Sequence, residues 1–288
     1  MNVARSVGEV EPRPRAVAIG TFDGVHRGHQ QVVRAAADSG LTPTVLTFDP
    51  HPRLALGYGV ELLTTLERRL ELLAEQGVED TLVIAFDHDL QQLEPEEFAH
   101  TVLERIGARV VAAGETFRFG HRRRGDLALL RELGYDARVV PLVPGISSTE
   151  IRRLLHAGDV TAAARMLGRP PEVEGTVVVG DERGGTLGFP TANLAVDAHL
   201  LVPAFGIYAG SALGRPAAVS IGTNPHYGGR ERKVEAFLLD FDGDLYGRRL
   251  VVELWERLRE ERVFENEEAL VEQIAADVEA TRAATRPS

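Results

Sequence analysis

Apolar residues in the first half of the chain form short runs that alternate with segments of helical spacing. The runs predict strands at 17–22, 43–48, 80–86 and 108–114. The helical spacing lies between them, at 29–40, 64–77 and 95–107. Alternation of strand and helix predicts a parallel sheet with helices on both faces, in which ligands bind beyond the carboxyl ends of the strands.

The pattern changes after a short predicted helix that ends at Gly168. The segment 169–175 has the composition of a connector, and short strands separated by turns are then predicted at 175–180, 205–210, 217–222, 234–241 and 245–256. Asp242-Gly243 predicts a hairpin between the last two strands, and a helix is predicted over 266–284. We therefore expect an α/β domain over 1–168 and a small antiparallel β-barrel with a terminal helix over 169–288.

Composition narrows the classes of function. The 288 residues carry a formal net charge of −11, with 32 Lys+Arg against 43 Asp+Glu. Such a chain lacks the basic surface on which nucleic-acid affinity depends, so nucleic acid is not expected as a partner. No apolar run is long enough to span a membrane and no secretory signal is visible, which predicts a cytoplasmic protein without a membrane segment. The absence of cysteine excludes thiolate metal sites and a cysteine nucleophile.

Lysine usage restricts how the protein could handle ATP. Lys233 is the only lysine, and it lies in the segment GGRERKVEAF (228–237), which fits neither a P-loop nor a protein kinase. A P-loop and a protein kinase each need a lysine at a defined place relative to such a turn or loop. If the protein uses ATP, it therefore does so without either of these architectures.

The segment GTFDGVHRGHQ (20–30) joins the first predicted strand to the first predicted helix. Its three glycines allow the backbone to approach a ligand, and a helix N-terminus attracts an anion. His26 and His29 share a face of the first helical turn and could donate hydrogen bonds to phosphate oxygens as charge builds on a leaving group. The alternatives are a metal site, for which no third ligand stands at a helpful spacing, and a turn without function.

This segment resembles the nucleotidyltransferase signature of the prokaryotic bifunctional riboflavin kinase/FMN adenylyltransferase (FAD synthetase) family. The resemblance continues through LTFDPHPR (46–53), GETFRFG (114–120) and ISSTEIRRLL (146–155). It implies a Rossmann-like nucleotidyltransferase domain in which His26, His29 and Arg152 are catalytic. It also implies that a larger set binds the nucleotide: Gly20, Thr21, Phe22, Asp23, Gly24, Gly28, Thr116, Ser147, Ser148 and Thr149.

Three details of the first half allow other interpretations. Thr116 stands where the family usually has Asp or Asn, which weakens the case for full adenylyltransferase activity. Ser147 and Glu150 form a capping-box pattern, which is a sufficient structural role for the serine. The run HRRRG (121–125) is expected to be a solvated loop, with attraction of phosphates as the alternative.

A second motif, RGGTLGFPTANL (183–194), lies in the second half. Pro190 fixes the backbone direction, so Thr191 and Asn193 project to the same side of an extended chain. Their oxygens are hard ligands that suit Mg²⁺, although they could equally satisfy a turn. The motif resembles the G-x-x-L-G-F-P-T-A-N-L sequence of riboflavin kinase. This resemblance implies that Thr191 and Asn193 bind Mg²⁺ and that Gly188 and Pro190 lie beside the nucleotide.

Glu235 is the strongest catalytic candidate of the second half. Alternation along its predicted strand puts it on one face with Phe237 and Leu239, an unusual place for a carboxylate without a task. A partly desolvated carboxylate is a better general base, whereas an exposed glutamate at a strand start is the alternative. By resemblance, Glu235 takes the proton of the ribityl 5′-hydroxyl as it attacks the ATP γ-phosphate. The same resemblance assigns flavin binding to Asn224 and Arg259.

Together these motifs predict a bifunctional enzyme that phosphorylates riboflavin to FMN and then adenylylates FMN to FAD, with ATP and Mg²⁺. One alternative is a riboflavin kinase whose first domain is impaired in adenylyl transfer. Another is a non-catalytic flavin-responsive binding protein that could bind RNA. The acidic charge counts against RNA binding, and the intact PTAN segment and Glu235 count against a non-catalytic role. The expected partners are small-molecule substrates, and homo-oligomerisation is left open.

Overall fold

The computed structural model of the chain describes residues 1–180, 189–223 and 232–287. Contacts divide the chain into two compact units, Met1–Ser147 and Ser148–Ser288. The division falls before two helices, over 148–167, that the sequence interpretation assigns to the first domain. The boundary expected at residue 168 stays a prediction.

The first unit is a six-stranded sheet with helices between the strands. Its strands are β1 (Asn2–Ala4), β2 (Arg15–Ile19), β3 (Thr42–Asp49), β4 (Asp80–Ala85), β5 (Ala108–Gly114) and β6 (Asp136–Val140). Its α-helices are α1 (Arg27–Ala37), α2 (Pro52–Ala55), α3 (Leu66–Glu75), α4 (His88–Gln92), α5 (Pro95–Phe98) and α6 (Leu127–Glu132). A π-helical segment, Ala99–Glu104, continues α5.

The sheet is parallel throughout, in the order β1-β4-β3-β2-β5-β6. The parallel sheet predicted from the alternating pattern is confirmed. The chain passes from β2 to β3 on one side and reaches β5 on the other side of β2. This reversal makes a topological switch point at the carboxyl ends of β2 and β5, where ligands bind in open α/β sheets.

Both faces of the sheet are buried, and β2 shows why. Its residues alternate between two apolar clusters, with Ala16 and Ala18 in one and Val17 and Ile19 in the other. Successive side chains of a strand point to opposite faces, so a continuous apolar run is needed when helices cover both. The pattern of the sequence thus fixes β2 as a central strand.

The second unit begins with α7 (Ser148–His156) and α8 (Val160–Leu167) and continues as a closed antiparallel barrel. The barrel order is β10-β11-β8-β7-β12-β9, which confirms the predicted small barrel. Its strands are β7 (Glu172–Val178), β8 (Ala192–Ala195), β9 (Gly206–Ala212), β10 (Arg215–Thr223), β11 (Arg232–Leu238) and β12 (Arg249–Arg259). The terminal helix α9 (Glu267–Ala283) contacts β9 and β10.

The hairpin predicted at Asp242-Gly243 is wrong. β11 pairs with β10 and β8, whereas β12 pairs with β7 and β9. After β11 the backbone N–H of Leu239 donates to the carbonyl of Pro216, and Asp240 turns the chain with a φ of 56°. The local turn sequence predicts that β11 and β12 pair with each other, but in the closed barrel each of them pairs with other strands.

Candidate active sites

The first unit encloses a cavity of about 880 Å³ at the carboxyl ends of its strands. Ile19 of β2, Phe48 of β3 and Gly114 of β5 reach it, so it lies at the switch point of the sheet. The sequence-predicted residues that line it are Gly20, Thr21, Phe22, His26, Gly28, His29, Thr116 and Ser147. Its size is that of a typical small-molecule site.

The loop between β2 and α1 holds several residues in left-handed backbone conformations. Phe22 has a φ of 51° and Val25 a φ of 40°, although both carry side chains that disfavour this region. Gly24 has a φ of 82°, and a Cβ there would lie 2.7 Å from Leu63 Cδ1. Strain of this kind persists where the surrounding structure overdetermines the backbone, and it is typical of ligand-binding loops.

The side chain of Asp23 holds this loop in place through hydrogen bonds to the backbone of a neighbouring segment. Its side chain is buried, and Oδ1 accepts hydrogen bonds from the backbone N–H groups of Leu63 at 2.9 Å and Thr64 at 3.2 Å. The Thr64 hydroxyl in turn accepts from the backbone N–H of Gly24 at 3.2 Å. Asp23 and Gly24 therefore have positioning roles in this loop that their motif alone does not reveal.

His26 and His29 stack face to face at the start of α1. Their ring centroids are 3.6 Å apart with an interplanar angle of 15°, and Phe22 meets His29 edge-on at 5.4 Å. His26 caps the helix, because its Nδ1 accepts the backbone N–H of His29 at 3.3 Å. Neutral His26 therefore carries its proton on Nε2.

His29 is held in its neutral form. Burial lowers the pKa of His29 well below its ordinary value, and the neighbouring His26 and the cation of Arg69 lower this pKa further. Its Nδ1 is buried without a hydrogen-bond partner in the part of the chain that the structure describes. A neutral imidazole acts by donating a hydrogen bond rather than by carrying a charge.

Arg69 is a residue of this region that the sequence interpretation misses. It is 1% exposed on α3 and donates to the carbonyl of Phe48 at 3.4 Å, with Asp23 and Asp49 as electrostatic neighbours. Burial lowers the pKa of Arg69. The available signal is its position four residues before Leu73, which puts it on the buried face of the helix.

The remaining predicted residues of this motif set fall in two places. Thr116 is exposed on the turn after β5 and lines the cavity, as does Ser147 at the end of the first unit. Ser148, Thr149 and Arg152 belong to α7, the first helix of the second unit.

Glu235 and Asn193 are direct cross-strand partners in the barrel. β11 pairs with β8 so that these two residues are opposite each other, and cross-strand partners project their side chains to the same face. Lys233 lies on that face as well, with Nζ 2.8 Å from Glu235 Oε1. Phe237 meets Phe189 edge-on at 5.5 Å next to them. The face predicted for Glu235 is therefore a half-buried one, and Lys233 is a neighbour that the sequence interpretation misses.

Asn193 has the properties expected of a cation ligand. Its Oδ1 is buried without a hydrogen-bond donor among the described residues, while its Nδ2 donates to the carbonyl of Thr191 at 3.4 Å. The backbone of Gly180 comes so close that a Cβ there would collide with the Asn193 amide. A buried amide oxygen without a donor is suited to a hard cation such as Mg²⁺, so the residues present fit that ion.

A second carboxylate lies near Glu235. Burial raises the pKa of Glu261, and the charge of Glu235 raises it further. Glu261 packs against the backbone of Gly222, where a Cβ would collide with its carboxylate. The cation of Arg259 opposes these effects, so Glu261 interacts electrostatically with both Arg259 and Glu235.

Arg259, predicted to bind flavin, is engaged with the terminal helix. Its Nε donates a hydrogen bond to Asp277 Oδ1 at 3.0 Å and its Nη2 donates one to Asp277 Oδ2 at 2.7 Å, which makes a bidentate ion pair. Pro190 is exposed just before β8. Gly188 and Asn224, the other residues assigned to this site, lie outside the described residues.

Comparison with known proteins finds two families along the chain. Residues 9–151 match the model of the FAD synthetase family and residues 167–285 that of riboflavin kinase. A protein of Listeria monocytogenes named bifunctional riboflavin kinase/FMN adenylyltransferase is 35% identical, with 93% of this chain and 92% of that protein covered. A protein of Escherichia coli with the same name is 35% identical over 96% of each chain.

A solved structure from Streptococcus pneumoniae, described as a macrolide-efflux protein, superposes on the chain with a TM-score of 0.87. It is 30% identical and covers 97% of this chain and 98% of its own. In the described residues of this chain, no helix has both the length and the apolar character needed to cross a membrane.

Proposed function

This chain belongs to the bifunctional riboflavin kinase/FMN adenylyltransferase family, and from that premise we propose how its residues divide the two reactions. The enzyme phosphorylates riboflavin to FMN with ATP and then transfers AMP from ATP to FMN, which gives FAD and pyrophosphate. Both family models match in chain order, and relatives match over nearly the whole length. The kinase-only alternative is therefore not favoured.

Adenylyl transfer is assigned to the cavity of the first unit. An FMN phosphate oxygen attacks the α-phosphorus of ATP, the bond from this phosphorus to the bridging oxygen breaks, and pyrophosphate leaves. His26 donates from Nε2 to a phosphate oxygen, because its Nδ1 is occupied by the N–H of His29. Neutral His29 donates a second hydrogen bond, and the N-terminus of α1 adds the positive end of its dipole.

The other nucleotide contacts of this reaction are assigned by family resemblance. They comprise the residues of the β2–α1 loop, Thr116 after β5, and the segment that contains Ser147, Ser148, Thr149 and Arg152. Support for the first two groups comes from the cavity, since Gly20, Thr21 and Thr116 line it. Asp23 and Gly24 contribute by fixing the loop conformation.

Riboflavin phosphorylation is assigned to the barrel face that carries Glu235. Glu235 takes the proton of the flavin hydroxyl as the hydroxyl oxygen attacks the γ-phosphorus of ATP and ADP leaves. Thr191 and Asn193 would hold Mg²⁺, which when bound neutralises charge on the phosphates. Lys233 keeps the Glu235 carboxylate oriented through its contact at 2.8 Å. Asn224 and Arg259 are assigned to the flavin, and Gly188 and Pro190 to the nucleotide.

The single observation that carries this assignment is the cross-strand pairing of Glu235 with Asn193. Their motifs are separated along the chain, and an acid–base residue and a metal ligand are expected side by side in a phosphoryl-transfer site. The proposal extends to a cytoplasmic location, where the small-molecule substrates riboflavin, FMN and ATP are available, and includes neither nucleic acid nor membrane.

The experiment that tests the function is product analysis. The purified protein is incubated with riboflavin, ATP and Mg²⁺, and the flavins are separated by chromatography over time. We expect FMN to appear first and FAD to follow. FMN without FAD, even when FMN is supplied, would limit the function to the kinase, and the absence of both products would overturn it.

A further inference from the structure

The cavity of the first unit is positively charged in a protein that is acidic as a whole. In this fully described unit the cavity lining includes four arginines and no carboxylate side chain, whereas the chain has a formal net charge of −11. The arginines are Arg53, Arg118, Arg122 and Arg123. A cleft lined by one sign of charge concentrates ligands of the opposite sign.

Two of these arginines stand on a loop that is tied to its surroundings. The loop 119–125 is closed by two backbone hydrogen bonds between Phe119 and Gly125, of 3.0 and 2.9 Å. The backbone N–H of His121 donates to the carbonyl of Leu93 at 2.7 Å, and Arg124 forms an ion pair with Glu94. Arg124 thus has a structural partner, and the loop has a defined conformation.

Arg122 and Arg123 adopt an unfavourable backbone conformation in this loop. Their φ values are 53° and 58°, in the left-handed region that glycine normally occupies. Within the described residues neither guanidinium has a carboxylate at ion-pair distance, unlike that of Arg124. Two strained arginines that face a cavity without a counter-charge are a binding feature rather than a stabilising one.

We propose that Arg122 and Arg123 bind a phosphate group of the substrates of adenylyl transfer. This inference rests on the proposed function of the cavity. ATP brings a triphosphate and FMN a monophosphate, and the planar guanidinium matches phosphate oxygens with two parallel hydrogen bonds. Because His29 is neutral, these arginines supply a full positive charge that this histidine does not.

The test replaces each arginine by glycine, singly and together. Glycine removes the guanidinium and accepts a φ near 55°, so loss of binding is separated from loss of loop conformation. Arg131→Ala is the matched control, because Arg131 is an exposed arginine of α6 in the same unit that is not part of the cavity lining. FAD formation is measured against FMN and against ATP in turn, and riboflavin phosphorylation by the same samples reports on folding.

We expect the double variant to raise the KM of the substrate whose phosphate is bound by about 10- to 100-fold, the usual effect of losing charge-assisted hydrogen bonds. Kinase activity and Arg131→Ala should remain at the wild-type level. A rise for FMN identifies the monophosphate and a rise for ATP the triphosphate. Arg122→Lys with Arg123→Lys should restore part of the affinity, which a purely structural role of the loop would not predict.

The proposal is overturned if wild-type protein makes FAD and the double glycine variant has both KM values within about twofold of wild type, since a lost charge-assisted contact costs more than that. If wild-type protein makes no FAD at all, the proposed adenylyl transfer itself fails and this inference falls with it. The two failures are therefore distinguishable in one set of assays.

Discussion

Burial controls the chemistry of the histidine pair at the scale of single residues. His26 fixes its own tautomer by capping α1, and His29 is stacked on it at 3.6 Å in surroundings that keep it neutral. Sequence spacing puts both rings on one face of the helix, as observed. The spacing could not indicate the lowered pKa of His29, because Arg69 and the packing around it come from other elements.

The lowered pKa of His29 predicts a pH-dependent stability. In the unfolded chain this histidine binds a proton as the pH falls below about 6.5, whereas in the folded protein it stays neutral to a much lower pH. Unfolding is therefore favoured progressively below that pH. We expect wild type to lose about 1 to 2 kcal/mol more stability between pH 7 and pH 5 than His29→Gln. Calorimetry measures this, with the exposed His88→Gln as control; identical pH dependence in all three proteins would contradict it.

Gly24 predicts a second effect of a single residue. Gly24→Ala places a methyl group at a φ of 82° and 2.7 Å from Leu63 Cδ1, so both the backbone and the packing are disfavoured. Gly40→Ala isolates the backbone effect, because Gly40 has a φ of 74° and open space around it. We expect Gly40→Ala to lower the free energy of unfolding by about 1 kcal/mol, and Gly24→Ala to lower it by clearly more. Adenylyl transfer should fall only in Gly24→Ala, and equal melting temperatures of the two variants would refute this.

At the scale of elements, an ion pair joins the amino ends of the strands. Buried Arg15 of β2 bonds Asp80 of β4 and the Thr44 hydroxyl of β3, and Asn2 of β1 donates to Asp80 at 2.8 Å. Burial raises the pKa of Asp80, but hydrogen bonds from Arg15, Asn2 and Arg13 outweigh it and lower this pKa to about 2. The network lies at the end of the sheet opposite the cavity, so it affects stability rather than binding.

Asp80→Asn is predicted to destabilise the protein by about 2 kcal/mol or more at pH 7, because Arg15 would keep a buried charge without its partner. A carboxylate whose pKa is lowered by folding stabilises the protein fully at pH values above its pKa in the unfolded chain. This stabilisation is lost as the pH falls toward the folded pKa of about 2. The stability difference between wild type and variant should therefore shrink below about pH 4. Urea titrations at several pH values test this, and a difference that is constant down to pH 2 would count against the ion pair.

Elements with a strong apolar pattern were predictable, and short or edge strands were not. The apolar run at β2 predicted a strand of the parallel sheet, whereas the three-residue edge strand β1 and the four-residue β8 carry too few residues to show a period. The turn signal at Asp242-Gly243 was misleading because barrel closure, a non-local effect, decides which strands pair. For the same reason, only the family resemblance assigned Glu235 and Asn193 to one site. Their position opposite each other is set by the register of β11 against β8, which the sequence does not reveal.

At the scale of the whole molecule, two chemistries are carried by two different architectures on one chain. A parallel sheet places helix N-termini and loops at its carboxyl edge, which suits phosphate chemistry by positioning. A closed barrel holds Glu235 opposite Asn193 on a stable face, which suits a general base beside a metal ligand. We propose that the two reactions use separate sets of residues, with adenylyl transfer at the cavity residues and the α7 segment, and phosphorylation at the barrel face.

The most direct test of this claim compares Glu235→Gln with His29→Ala in two assays, riboflavin to FMN and FMN to FAD. We expect Glu235→Gln to lose at least about 100-fold in phosphorylation, the usual contribution of a general base, with adenylyl transfer unchanged. His29→Ala should lose about 10-fold or more in adenylyl transfer, with phosphorylation unchanged. Each retained activity shows that its variant is folded. Loss of both activities in either variant, or of neither in both, would contradict the account.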